Sequence, residues 1–384
     1  MADLKNGILD IFCGAGGLSL GFLLEGFDIV YSSDNNSRAI DTIKTNHNKI
    51  HMLKGEQDHH YSEVEDINNL DARKVRKIFK DRGYRVQGII GGPPCQGFSQ
   101  ANRQTRTIDN PNNSLFEQYL RLINDLNPDF IVFENVVGFA SLANGDFKKS
   151  VLDTLEKLNF IEGWKILDAQ WYGVPQIRRR VIIIGIKRSK IKTEYKKKIV
   201  FPEKNKVSVP TVKNAFSGLP SIKMGETREI QSYQKPSLMS NYAKSLQSSP
   251  ELNIFSENVY NHITTLSNDL VLKRYKYLKP GQNWANLPED LINNYNDKSR
   301  CHSYIYKRLE DDKPSITVSN FRKCMFIHPR EDRGLSVREA ARLQSFPDWY
   351  EFKGELSYQQ QQVACAVPPL MARSIAQQIK KMLK

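Results

Sequence analysis

Over the first half of the chain, short apolar runs alternate with amphipathic stretches of helical length. Runs at 8–12, 27–32, 88–91, 130–133, 164–169 and 181–186 predict strands, and the stretches 18–25, 37–45, 72–82, 115–126 and 147–158 between them predict helices. This alternation builds a mostly parallel sheet clothed by helices, so the expected fold is α/β, a doubly wound sheet. Ligands of such a sheet gather at the carboxyl ends of its strands, where the loops at 14–17 and 93–99 both fall.

The alternation stops after about Lys187. From there to about Arg333 Pro, Ser, Asn, Lys and Tyr dominate, which predicts a separate, irregular module. A helix resumes at 336–344, opened by a capping Ser336 with Glu339 three residues on. A last helix, 370–383, follows Pro368-Pro369. The expected division is therefore one domain from 1–187 and 336–384, with 188–335 inserted as a second, smaller domain. No repeats occur, and the run Gln359 to Gln362 is too short to mark a low-complexity segment.

Five cysteines form no Cys-x-x-Cys pair, so neither a disulfide framework nor a zinc cluster is expected, and a reducing cytoplasm fits. His59-His60 and Cys301-His302 lack the further ligands of a metal site, and no metal is expected. No segment is long and apolar enough to span a membrane, so no membrane partner is expected. The net charge of +14 points to a polyanionic partner, with nucleic acid foremost. The excess is densest at 187–206, where seven lysines from Lys190 to Lys206 join Lys187 and Arg188 against only Glu194 and Glu203.

The candidate chemistry centres on GGPPCQGFS at 91–99. Pro93 and Pro94 end an apolar strand with fixed φ angles, so Cys95 is presented on a rigid loop and reads as a reactive thiolate. After strand 8–12, the glycines Gly14, Gly16 and Gly17 let backbone approach a nucleoside ligand, and Asp34 ends the next strand where a carboxylate can accept from ribose hydroxyls. Glu134 ends strand 130–133 and faces the same crevice as Cys95. Alternation puts Gln176, Arg178 and Arg180 on one face and Ile177 and Arg179 on the other, a planar polar set suited to a base or a phosphate.

The motifs DIFCGAGGLSLGF (10–22), GGPPCQGFS, ENV (134–136), QIRRR (176–180), RLQSFPDW (342–349) and AVPP (366–369) resemble, in order, those of DNA (cytosine-5)-methyltransferases of bacterial restriction-modification systems. The resemblance runs over residues 7 to about 188 and again over 336–384. It implies a Rossmann-like catalytic domain dependent on S-adenosylmethionine, with a target recognition domain at 188–335. Carried onto these positions, it makes Cys95 the nucleophile at carbon 6 of a flipped-out cytosine. Glu134 holds ring nitrogen 3, Arg180 holds the base oxygen, and Arg178 and Gln176 complete the catalytic set. For the cofactor it implies Phe12, Gly14, Gly16, Gly17, Leu18, Asp34, Asn35, Asp66, Ile67, Pro93, Cys365 and Val367. Two of these depart from the family pattern, Asp34 where Glu is usual and Cys365 where Asn is usual. The loop 96–113 resembles the family's mobile loop. Thr317-Val318 is similar to the Thr-aliphatic pair of its recognition modules, and Tyr304, Tyr306, Lys307, Arg308, Asn320, Arg322 and Lys323 could read base edges.

The expected partner is double-stranded DNA, with a cognate restriction endonuclease acting separately and the enzyme itself a monomer. A tRNA cytosine-5 methyltransferase is the nearest alternative. A silent DNA-binding regulator would have lost Cys95 or Glu134, and a Rossmann oxidoreductase would leave GGPPCQGFS and ENV unexplained.

Overall fold

The computed structural model describes residues 4–55, 59–94, 115–293 and 303–384. Cys95, the loop 96–113, Cys301 and His302 lie outside the described residues. The chain divides into two compact units: Met1–Tyr172, Arg179–Lys204 and Pro369–Lys384 form the first, and Gly173–Arg178 with Asn205–Pro368 the second.

The first unit carries a seven-stranded sheet in the order β3-β2-β1-β4-β5-β7-β6. Its strands are β1 (Lys5–Ile11), β2 (Ile29–Asp34), β3 (Tyr61–Val64), β4 (Tyr84–Gly91), β5 (Phe130–Val136), β6 (Phe160–Asp168) and β7 (Arg179–Lys187). Strands β1 to β5 are parallel, and β7 runs antiparallel to both its neighbours. The helices are α1 (Gly17–Leu23), α2 (Ser37–Lys54), α3 (Ala72–Asp81), α4 (Leu115–Leu126) and α5 (Asp146–Lys157), followed at the far end of the chain by Pro369–Met382.

Both faces of the sheet are covered, as the apolar alternation requires. Leu9, Ile11, Ile131 and Phe133 point into a core shared with Val75, Phe79, Tyr119 and Leu155 of α3, α4 and α5. On the opposite face Phe22 of α1 stacks on Phe130 with centroids 6.1 Å apart, and Phe27 contacts both rings at 5.3 and 5.8 Å. There Gly21 lets the 369–382 helix cross closely, since a β-carbon at 21 would lie 2.5 Å from the Arg373 backbone.

Two local differences from expectation have clear causes. Helix α2 runs on to Lys54 because Ile43 and Ile50 are buried, and it stops at Gly55 in the left-handed conformation. Strand β3 has no apolar run to announce it; it is an edge strand, tied to β2 by backbone pairing and by Tyr31 donating to Glu63.

The second unit is built of short helices and turns. The capping box at Ser336 is present, with Ser336 accepting from the Glu339 backbone and Glu339 from that of Ser336. Residues 336–368 pack with the insert, where expectation put 336–384 with the sheet. The cause is a buried network: Arg342 donates to both oxygens of Asp348 at 2.8 and 2.7 Å and to the carbonyls of Ala215 and Ser217. Trp349 donates to Ser249 at 2.8 Å. The RLQSFPDW stretch is thus core, and so is the glutamine run, where Gln359 binds Asn261, Glu229 and Gly354.

Candidate active site

The loop after β1 turns through left-handed backbone at Phe12, Gly14 and Gly16, with φ of +57°, +51° and +73°. Asp34 organises this turn from the end of β2. Its two oxygens accept from the backbone N–H groups of Gly14 and Asn36, each at 2.9 Å. Burial pushes its pKa up, and those N–H groups pull against it. Asn36, not Asp34, caps α2. Above Gly14 a β-carbon would meet nothing within 4 Å, so the backbone lies open to a ligand. Leu18 is buried in the first turn of α1, Phe12 is half-buried against the core, and Asn35 is exposed. Beyond the neighbouring strand β3, Asp66 is exposed and accepts from both the backbone and the side chain of Asn68, and Ile67 is buried.

Two residues of this corner drew no role from the sequence. Asp10 is buried, accepts from Ser19 Oγ at 2.5 Å, and has its other oxygen without a partner. Burial, with Asp34 adding to it, pushes its pKa up to about 7. Cys13 is also buried, and burial holds its thiol well above the usual range, which suits packing and not nucleophilic work.

Where the cysteine loop leaves β4, both glycines are required by close approach. A β-carbon at Gly91 would lie 2.4 Å from the Ile11 carbonyl oxygen, and one at Gly92 would lie 2.7 Å from Glu134 Oε2. Asn135 donates to the carbonyl of the buried Pro93 at 3.1 Å, which fastens the root of the loop to β5. Glu134 in turn pairs with Arg180, Nε to Oε1 at 2.9 Å, both side chains largely buried. The antiparallel register of β5 and β7 sets Val136 opposite Arg180 and so makes this pair.

Gln176 and Arg178 belong to the second unit and are fully buried there. Gln176 donates to the Leu343 carbonyl and accepts from the Val318 N–H, while Arg178 donates to the carbonyls of Val318 and Ala364. Thr317 closes the same cluster by donating to the Ile177 carbonyl at 2.7 Å. Cys365 is exposed at the end of the helix Leu356–Cys365, and Val367 is buried just beyond it.

The base-reading candidates in the insert separate by burial. Tyr306 and Arg308 are interior: Tyr306 hydroxyl accepts from Arg274 at 2.7 Å, and Arg308 donates to the His328 carbonyl and to Asp332. Lys307 donates to the Gly281 carbonyl, and Asn320 caps the short helix Phe321–Cys324. Tyr304, Arg322 and Lys323 remain exposed. Among the described residues no helix is long and apolar enough to cross a membrane and no cluster could hold a metal.

Comparison with known proteins adds a family match, two relatives and two solved structures. The family model described as C-5 cytosine-specific DNA methylase matches residues 7–381. The chain is 33% identical to the type II methyltransferase M1.HphI of Haemophilus parahaemolyticus over 97% of this chain and 86% of that one. It is 31% identical to M.DdeI of Desulfomicrobium norvegicum over 97% and 88%. Among solved structures, a prophage-encoded E. coli protein named as a DNA modification methyltransferase superposes with a TM-score of 0.78 at 26% identity, over 98% of this chain and 99% of that one. At 16% identity, the S. pombe Dnmt2 methyltransferase shares the fold, with a TM-score of 0.54 over 98% of both chains.

Proposed function

The chain belongs to the C-5 cytosine-specific DNA methylase family and is a DNA cytosine-5-methyltransferase of the restriction-modification kind, and we propose that it acts through a covalent Cys95 adduct on a flipped-out base. The observation that carries the reading is the Glu134–Arg180 pair, set at a strand end against the root of the loop that leads to Cys95.

Carbon 5 of cytosine is a poor nucleophile until the ring is made electron-rich. In the proposed cycle the Cys95 sulfur bonds carbon 6 while Glu134 provides a proton at ring nitrogen 3, giving an enamine. Arg180 steadies Glu134 and offers its remaining donors to the base oxygen. Carbon 5 then takes the methyl group. Loss of the carbon 5 proton to a base, departure of the Cys95 sulfur from carbon 6 and return of the nitrogen 3 proton to Glu134 restore both ring and enzyme. These atoms are shielded in a duplex, so the base must leave the stack. Gln176 and Arg178 spend their polar atoms on backbone carbonyls and the Val318 N–H within the second unit, so the proposed contacts to the base fall to Glu134 and Arg180.

When bound, S-adenosylmethionine supplies the methyl group. The open backbone over Gly14, flanked by Phe12, Gly16, Gly17 and Leu18, would lie along its methionine and ribose, with Asp34 and Asn35 at the ribose and Asp66 and Ile67 at the adenine. Pro93, Cys365 and Val367 complete the proposed set. The insert, with Tyr304, Arg322 and Lys323 exposed, is the proposed reader of a short double-stranded sequence. A monomer working in the cytoplasm beside a separate endonuclease completes the proposal.

The test is transfer of labelled methyl groups to unmethylated genomic DNA, with tRNA in parallel, for wild type and Cys95→Ser. Bisulfite sequencing should place the label on cytosines in one short context, and the serine variant should bind DNA but transfer nothing. A fully active serine variant would sink the adduct, and label on tRNA alone would redirect the substrate.

A further inference from the structure

The densest basic segment of the chain is displayed at the wrong end of the sheet to touch the reacting base. Near its start β7 sets Arg180 opposite Val136, and toward its end Ile186 lies opposite Phe130, the first residue of β5. Lys187 N–H donates to the Asp129 carbonyl and Arg188 N–H to that of Asn159, so the chain leaves the sheet at its amino edge. At about 3.3 Å per residue, the four steps from Phe130 to Glu134 put this edge about 13 Å from the position of Glu134.

The segment is also firmly held. Ile191 is buried and bridges to Leu383, and Lys192 N–H donates to the Met382 carbonyl at 2.9 Å. On the far side, Ile199 is buried and lies against Gly163 of the edge strand β6. Between these anchors Lys196, Lys197 and Lys198 are exposed in succession. Among the described residues, none of their ammonium groups has an ion-pair partner. Segment 188–204 presents no exposed large apolar side chain, so it lacks the anchor a protein partner would seat on. A row of unpaired lysines on a fixed backbone suits phosphates, which it can hold without reading sequence.

We propose that the turn carrying Lys196, Lys197 and Lys198 is a second duplex DNA contact, separate from the site of base chemistry, that holds DNA lying outside the recognition sequence. It rests on the reading of this chain as an enzyme acting on DNA. A segment of substrate DNA too short to reach the amino edge would gain nothing from it, whereas long DNA would.

The experiment compares wild type with a combined Lys196→Glu, Lys197→Glu and Lys198→Glu variant, by fluorescence anisotropy and by methyl transfer. The probes are a duplex of about 12 base pairs, little more than one helical turn, and linear DNA of several hundred base pairs carrying the same site. For long DNA the variant should bind about 10-fold more weakly, with a logarithmic salt slope shallower by about 2.7, as expected for three lost phosphate contacts. On the short duplex its kcat, KM and binding should equal those of wild type, which also reports an intact fold. Unchanged binding of long DNA would overturn the proposal, and so would equal losses on both probes. The Lys→Gln counterpart at the three positions should show the same slope change without introduced repulsion. Absence of methyl transfer by wild type on both DNAs would count against the enzymatic reading, while the anisotropy comparison would still decide the contact.

Discussion

Gly92 and Glu134 stand so close that a β-carbon on residue 92 would lie 2.7 Å from the carboxylate oxygen Oε2. What would have to give way is the tip of a side chain, which can swing aside at little cost to the fold. At Gly91 the obstacle is the Ile11 carbonyl, part of the sheet itself.

Gly92→Ala should therefore lower kcat by 100-fold or more while leaving the unfolding midpoint nearly unchanged, because it displaces Glu134 from Arg180. Gly91→Ala should instead cost about 1–3 kcal/mol of stability by forcing β1 and β4 apart. Denaturant melts beside single-turnover rates would separate the two, and an active Gly92→Ala enzyme would mean that Glu134 is not the acid.

Asp10 should make stability fall as pH rises. Its carboxyl is pushed up to about 7 in the fold by burial, above the ordinary unfolded value near 4. The folded state therefore holds the proton more tightly, and the contribution is fully present below about pH 4 and lost by about pH 7, up to about 4 kcal/mol in all. Asp10→Asn should flatten urea-derived stability across that window. An unchanged slope would place the titration elsewhere.

The stacked imidazoles of His47 and His60, with ring centroids 3.5 Å apart, should act in the opposite sense. Burial lowers His47 to about 3 and His60 well below its usual value. Both stay neutral in the fold but take protons near pH 6.5 once unfolded. Their stability is complete above that pH and is lost as pH falls toward 3, about 5 kcal/mol for His47. His47→Phe keeps a ring on His60 and removes one titration, so its acid-side melting curve should be the shallower of the two.

Asp348→Asn should destabilise the second unit by about 3–5 kcal/mol, since it strands the fully buried Arg342 charge. Proteolysis of the insert at a temperature that spares wild type would report the loss. Lys313→Gln, which removes an exposed lysine from its pair with Glu310, serves as the control and should change stability by less than about 1 kcal/mol.

Period and spacing alone determined most of the sheet and the order of its motifs. Apolar strands such as 130–133 and amphipathic helices such as 115–126 are patterns that any buried sheet with covering helices must write into its sequence. The motifs at the strand end and on the adjoining strand singled out Glu134 and Arg180, which the fold pairs; Cys95 lies outside the described residues, and its role rests on its motif. The antiparallel insertion of β7 between β5 and β6 was not legible, and it is this register that brings Arg180 to Glu134 and carries Lys196 to Lys198 to the opposite edge. Nor could the sequence separate Arg180 from Arg178 and Gln176, which look alike along the chain yet spend their polar atoms on backbone in another unit. The helix at 336 went to the unexpected unit for the same kind of reason. Local pattern governs which residues form an element, but partners for buried polar groups such as Arg342 and Arg178 come from segments distant in sequence, and only the folded chain brings those together.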